Sequence, residues 1–233
     1  MLNYEVFKGM QKEIKGILSG LFPFWSKLSP HDRDFLEQGT IIKKHKKGEN
    51  IHGGGLDCTG IIGVVSGRLR VYLLSEEGKE VTLFRLLEND ICVLSASCII
   101  KNIEFDVYVD AEVDTDIILI NSENYEALGR KYPFTDAYIQ EMVSMRFSEA
   151  MWVMSQVLFM KMDKRLAIFL LEQSNIEESE SITLTHQEIA DHIATAREVV
   201  SRMLKYFANE GLVKVSRKGI EIINREKLQE KAE

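Results

Sequence analysis

The stretch Thr183–Arg202, TLTHQEIADHIATAREVVSR, constrains this chain most. Thr185 followed by Glu188 fits a capping box, in which a Thr hydroxyl and a Glu carboxylate each take one unpaired amide at a helix start. Ile189, Ala190 and Ile193 then fall on one helical face. Thr195 and Glu198 repeat the spacing ten residues on, and Val199, Val200, Met203, Leu204 and Phe207 continue an apolar stripe. Two short, closely spaced helices of this kind match a helix-turn-helix. Ala190, small and inward, lets the helices cross closely. Ala194 stands where glycine is the usual turn residue. It would cost roughly 1 kcal/mol if the turn needs a left-handed backbone.

The second helix would expose Ala196, Arg197, Glu198, Ser201, Arg202 and Lys205. That set suits a DNA major groove, where Arg can donate a fork to guanine and Glu can accept from cytosine. The alternative is an ordinary amphipathic helix with a solvated polar face. Downstream, Asn209-Glu210-Gly211 ends the helix with Gly as its cap. Leu212–Val215 and Ile220–Ile223 read as two strands joined by the basic turn Ser216-Arg217-Lys218-Gly219, a wing. Between Thr195 and Lys218, Arg197, Arg202, Lys205, Lys214, Arg217 and Lys218 face only Glu198 and Glu210, a local charge of +4 in a chain of net charge −7. Basic charge gathered on one helix and its wing suits phosphate contacts.

With these residues in place, LTHQEIADHIATAREVVSRMLKYFANEGLV resembles the Crp/Fnr family of bacterial transcription regulators. The closest correspondence is Ala-Arg-Glu-Val-Val-Ser-Arg, residues 196 to 202. The resemblance implies that Arg197, Glu198 and Arg202 meet base edges, and Ser201 beside Arg202 is similar to the Fnr branch. Thr195, Ser201, Lys205, Lys214, Arg217 and Lys218 are the expected contacts to the DNA backbone. The resemblance also implies a homodimer on a near-palindromic double-stranded operator with TGTGA-like or TTGA-like half-sites one helical turn apart. RNA polymerase is a further expected partner.

The rest of the chain gives the context. Its 233 residues, 45% hydrophobic and 28% charged, fit an ordinary globular protein of one large or two small domains. No apolar run approaches the roughly 18 residues of a membrane helix, and MLNYEVFKGMQKEIKG lacks a signal-peptide core. Three cysteines without a C-x-x-C pair argue against a disulfide scaffold and for a reducing cytoplasm.

Residues 1–36 read as helical, with Met10, Ile14, Ile17, Leu18 and Leu21 at helical spacing. Phe22-Pro23-Phe24-Trp25 breaks the first helix, and Ser29-Pro30 opens a second. From Gly39 to Asn121 the pattern becomes short strands: Thr40–Lys44, Gly60–Ser66, Arg68–Leu74, Glu80–Leu86, Glu104–Ala111 and Thr115–Asn121, separated by glycine-rich turns. DAEVDTDIILINSENYEAL continues the strand-and-turn rhythm. The expected fold class is α+β: an N-terminal β-roll (a double-stranded β-helix or jelly roll) as sensor domain over 1–133, a long dimerisation helix and hinge over 134–161, and a C-terminal winged helix-turn-helix over 162–233.

Phe134–Met160 carries Ile139, Met142, Val143, Phe147, Ala150, Met151, Met154, Val157 and Leu158 at three- and four-residue steps. The family has its dimerisation helix here, with the effector between it and the roll. Lys161–Lys164 reads as a polar hinge, and Arg165–Gln173 as the first helix of the DNA domain.

The effector is left open by the sequence. Family members that bind cyclic nucleotides carry a Gly-Glu-Leu stretch and a later Arg-Ser/Thr-Ala stretch. Here Ile91–Cys98 replaces the first, and Glu104 and Asp106 stand where an Arg would hold the phosphate. The sequence therefore speaks against cyclic AMP. It does not support haem, because none of His31, His45, His52, His186 and His192 stands out as an axial ligand, nor an iron–sulfur cluster, because the Fnr-type N-terminal cysteine cluster is missing. An apolar ligand site at Val93, Leu94, Ser95, Ser97, Phe147, Met151 and Met154 is one expectation; redox sensing through Cys58, Cys92 and Cys98 is another. A cupin-like metal enzyme on the roll is a third reading, with His45, Glu49 and His52 as its only nearby ligand types and at a spacing wrong for one strand face. No paired catalytic carboxylates, phosphate loop or Ser-His-Asp set stands out, so the expectation is a regulator rather than an enzyme.

Overall fold

A computed structural model describes residues 4–53, 59–96 and 106–233. Its contacts divide into two compact units: Met1–Leu73 with Leu83–Glu149, and Leu74–Thr82 with Ala150–Glu233.

The first unit opens with α1 (Tyr4–Leu21). Ile14, Leu18 and Leu21 are buried at steps of four and three, so this helix presents one apolar stripe. Phe22, Phe24 and Trp25 follow and are also buried. After one 3-10 turn, α2 (Pro30–Gln38) starts with Ser29 as cap and Pro30 in the first turn. Asp32 anchors that start. Its carboxylate accepts bonds from Ser29 Oγ at 2.5 Å, Lys131 Nζ at 2.6 Å and the Tyr132 hydroxyl at 2.7 Å.

Among the described residues eight strands follow: β1 (Thr40–His45), β2 (Asn50–Gly53), β3 (Ile61–Ser66), β4 (Leu69–Leu74), β5 (Glu80–Leu86), β6 (Ile91–Cys92), β7 (Tyr108–Ala111) and β8 (Thr115–Ile120). They form two four-stranded sheets, in the orders β1-β8-β3-β6 and β2-β7-β4-β5. Register in the first is set by Thr40 opposite Ile120 and Ile62 opposite Leu119. Ile61, Ile91, Ile118 and Ile120 face the helices, and Gly63 lies flat beneath Leu21. A Cβ at Gly63 would sit 2.6 Å from Leu21 Cδ1. β2 and β6 are too short for an alternation pattern to reveal, and the sequence reading omits both.

The stretch NSENYEAL is not part of the strand rhythm. It begins α3 (Ser122–Lys131), capped by Asn121, whose Oδ1 accepts from the amides of Glu123 at 2.8 Å and Asn124 at 3.2 Å. An Asn cap followed by Glu is the signal that identifies this helix start. Next comes α4 (Pro133–Phe159), 27 residues long. Thr135, Ile139 and Arg146 on its first part are buried. Met145, Phe147, Met151, Trp152, Met154, Val157, Leu158 and Phe159 are exposed.

The second unit contains α5 (Met162–Ile176), β9 (Ser181–Ile182), α6 (His186–His192), α7 (Arg197–Asn209), β10 (Val213–Ser216), β11 (Gly219–Ile222) and α8 (Arg225–Ala232). Met162–Lys164 lies inside α5, so the polar segment expected as a hinge is mostly helix, and Lys161 is its N-cap. Asp163 in the first turn explains this, since a carboxylate there is favoured by the helix dipole. The wing is a three-stranded sheet, β10-β11-β9, with Ile220 opposite Ile182. Leu166, Leu170, Ile182, Ile189, Val200, Leu204, Phe207 and Leu228 form the core of this second unit. Among the described residues, no helix is long and apolar enough to cross a membrane.

Candidate nucleic-acid interface

α6 has only seven residues, too few to be stable alone, and three devices hold it. At its start the Thr185–Glu188 box forms as the spacing predicts. Glu188 N donates to Thr185 Oγ1 at 3.2 Å, and Thr185 N donates to Glu188 Oε2 at 2.7 Å. At its end the amide of Thr195 donates to the Ala190 carbonyl at 3.0 Å, closing a Schellman turn. Ala194 occupies the left-handed position of that turn, at φ 50°. The third device is Arg165 of α5, a buried guanidinium that donates to the carbonyl of Ile193. Burial pulls the pKa of this arginine down from its ordinary value. Sequence reading missed Arg165, because a cation inside an apolar stripe reads as a surface position.

α7 packs through Val200, Leu204 and Phe207, all fully buried, against α6, whose Ala190 is fully buried as well. The second capping box does not form. The N-cap of α7 is Ala196, with no side-chain cap bond, and Thr195 belongs to the preceding turn. The Schellman bond already uses the Thr195 amide, which shifts the helix start one residue on. Glu198 is thereby free of a capping role.

Arg197, Glu198, Arg202 and Lys205 are all exposed on α7, with Glu198, Arg202 and Lys205 spaced i, i+4, i+7 on the side opposite the core. Lys214, Arg217 and Lys218 are exposed on the wing. Among the described residues, none of these seven side chains forms an ion pair or hydrogen bond with another side chain. Each is open to an external partner. Ser201 differs: it is half-buried, and its Oγ lies 2.8 Å from Nδ1 of His186 on α6. Thr195 is half-buried in the turn. Gly219, at φ 131°, closes the wing turn against the Ile182 carbonyl, where a Cβ would clash. The structure therefore gathers Arg197, Glu198, Arg202 and Lys205 on one helix, with the cations of the wing in the same unit.

The candidate sensor residues are not gathered in this way. Val93 and Ser95 are sealed in the first unit, Ser95 Oγ donating to the Gly60 carbonyl at 2.8 Å; Leu94 is half-buried. Phe147, Met151 and Met154 present 66%, 43% and 51% of their surface. Ser97, Cys58 and Cys98 lie outside the described residues. Cys92 is buried, and burial pushes its thiol up from the ordinary value, away from the reactive thiolate. His45 Nδ1 lies 3.2 Å from Glu49 Oε2, whereas His52 bonds Thr59 at 2.7 Å. Among the described residues, no three His, Cys, Asp or Glu side chains converge as metal ligands would.

Comparison with known proteins follows the same division. Residues 164–231 match the family model of the Crp-like helix-turn-helix domain. Over 200 residues the chain is 25% identical to the cyclic AMP receptor protein of Thermus thermophilus, covering 86% of this chain and 92% of that protein. The FixK2 structure from Bradyrhizobium japonicum, 20% identical with a TM-score of 0.67, covers 82% of this chain and 96% of its own and shares the fold. A crystal structure from Eubacterium rectale, described as a transcriptional regulator of the Crp/Fnr family, is 42% identical with a TM-score of 0.87, covering 91% of this chain and 98% of that one. With this identity over nearly the whole length of both chains, the protein belongs to the Crp/Fnr family of transcription regulators.

Proposed function

We propose that this regulator acts as a homodimer on a near-palindromic operator, with Arg197, Glu198 and Arg202 reading bases and Thr195, Ser201, Lys205, Lys214, Arg217 and Lys218 positioning the backbone. The observation that carries the reading is the exposed, unpaired row on α7, flanked by the cations of the wing. An Arg fork and a carboxylate on one helical face are the groups that distinguish guanine and cytosine in the major groove. The organisation is a sensor roll over 1–133, a dimerisation helix over 134–161 and a DNA-binding domain over 162–233. Phe147, Met151, Met154 and Leu158 on α4 are exposed at steps of four, three and four, the spacing of a coiled-coil seam, and this supports a second copy as the partner. The protein works by binding rather than catalysis, in the cytoplasm, and hands its operator state to RNA polymerase. A small organic effector fits better than thiol chemistry at Cys92, which burial protects.

The test starts from a duplex that the full chain selects from a randomised pool. Arg202→Ala is expected to bind it about 5- to 150-fold more weakly, the equivalent of about 1–3 kcal/mol, and to relax preference at one base pair. Lys214→Ala is expected to weaken all sequences alike and to lower the salt slope by about 1. Parent-like affinity in Arg202→Ala at physiological salt overturns the base-reading assignment.

A further inference from the structure

The bond between His186 and Ser201 lies inside the proposed DNA surface, yet His186 has no role in the reading above. Ser201 sits one turn after Arg197 and one turn before Lys205 on α7, half-buried beside the exposed basic row. The imidazole of His186 approaches it from α6, with Nδ1 at 2.8 Å. Among the described residues, Nε2 of this ring has no hydrogen-bond partner, and no carboxylate pairs with the ring.

The surrounding charges are accounted for. On α6, the carboxylate of Glu188 is held by the Thr185 amide and that of Asp191 by Gln187 Nε2 at 2.7 Å. On α5, Arg165 is committed to the Ile193 carbonyl at the far end of α6. On α7, the charged neighbours of Ser201 are Arg197, Glu198, Arg202 and Lys205, three of the four cationic.

We infer that His186 and Ser201 form a proton-linked phosphate clamp, through which the regulator binds DNA more tightly as pH falls across the imidazole range. This rests on the DNA-binding reading given above. In the neutral ring with Nε2 protonated, Nδ1 accepts the Ser201 O–H, and the hydroxyl proton is turned inward. A proton taken from solvent onto Nδ1 reverses that bond. Nδ1–H then donates to Ser201 Oγ, and the Ser201 O–H is released to donate to a phosphate oxygen. Nε2–H, now on a cationic ring, becomes a second charge-assisted donor. A phosphate beside the ring favours its protonated form. The sign follows: the added affinity is present at low pH and is lost as pH rises.

The test measures affinity of the full chain for the selected duplex at constant ionic strength between about pH 6 and pH 8, the range over which an imidazole changes charge. The wild-type chain is expected to bind about fivefold more tightly at the acid end, the worth of about one hydrogen bond gained to phosphate. H186Q keeps a donor beside Ser201 but cannot take up the proton, and should bind at the alkaline affinity throughout. H186R carries the charge permanently, and should bind at the acid affinity throughout. It also serves as the decisive variant should H186Q fail to fold. A wild-type profile without pH dependence, or variants that follow pH as the wild type does, overturns the inference and leaves the DNA-binding reading standing. Absence of sequence-specific binding at every pH overturns the DNA-binding reading itself.

Discussion

Replacing Ala194 by glycine should stabilise the DNA-binding unit. The turn between α6 and α7 holds Ala194 at φ 50°, close to the left-handed region's centre, and the Thr195–Ala190 bond fixes it there. An L-residue pays about 1–2 kcal/mol for that conformation, because its Cβ crowds the next carbonyl. Glycine removes the clash but gives up about 0.4–1 kcal/mol through the greater freedom of the unfolded chain. The difference, about 0.8 kcal/mol in favour of Ala194→Gly, corresponds to about fourfold slower hydrogen exchange of amides that open only when the unit unfolds. Those of Leu204 and Phe207, fully buried on α7, are the ones to follow in the full chain. Ala194 takes part in neither the core nor the exposed basic row, so operator affinity should stay as it is. Unchanged or faster exchange in Ala194→Gly would show that the turn is not strained and refute the reasoning.

Three further perturbations probe other parts of the chain. Thr185→Ala removes the hydroxyl of the capping box and is expected to cost about 1 kcal/mol, read from the same amides; a cost near zero means the box carries no stability. Asp32 is held well below the usual carboxylate range by its bonds from Lys131, Ser29 and Tyr132. Its contribution is therefore full above the ordinary carboxylate pKa and fades as pH falls below it. The melting temperatures of wild type and Asp32→Asn should differ at neutral pH and draw together progressively as pH falls below about 4, and a constant gap would contradict the linkage. Leu158→Lys places a charge in the exposed row of α4 and should shift the sedimenting species from dimer towards monomer; an unaltered dimer would remove α4 from the seam.

The helix-turn-helix and wing were legible because their signals are local. A Thr185–Glu188 box, a glycine at 211 and a glycine-closed basic turn each act within a few residues. The second box misled for a related reason. Thr195 and Glu198 have the correct spacing, but the turn before them competes for the same amide and wins. Strands β3, β4 and β5 were legible from their length and glycine turns, while β2, β6 and β9 are too short to show a period. The pairing of His186 with Ser201 and the burial of Arg165 are set by tertiary contact between residues 15 and 28 apart, which no periodicity encodes. The candidate effector residues are drawn from the roll and from α4, and no local spacing relates side chains so far apart in the chain.

Arg165 also bears on where a working DNA reader can be cut from this chain. The seven-residue α6 takes its C-terminal cap from a side chain 28 residues upstream, and the wing takes its third strand from Ser181 and Ile182, which precede α6. A fragment starting at Thr183 would keep every side chain proposed to read bases and lose both supports. The portable piece begins near Met162, and grafting the recognition helix into another host succeeds only where that host supplies a buried donor for the Ile193 carbonyl. Specificity and scaffold are thus inherited together.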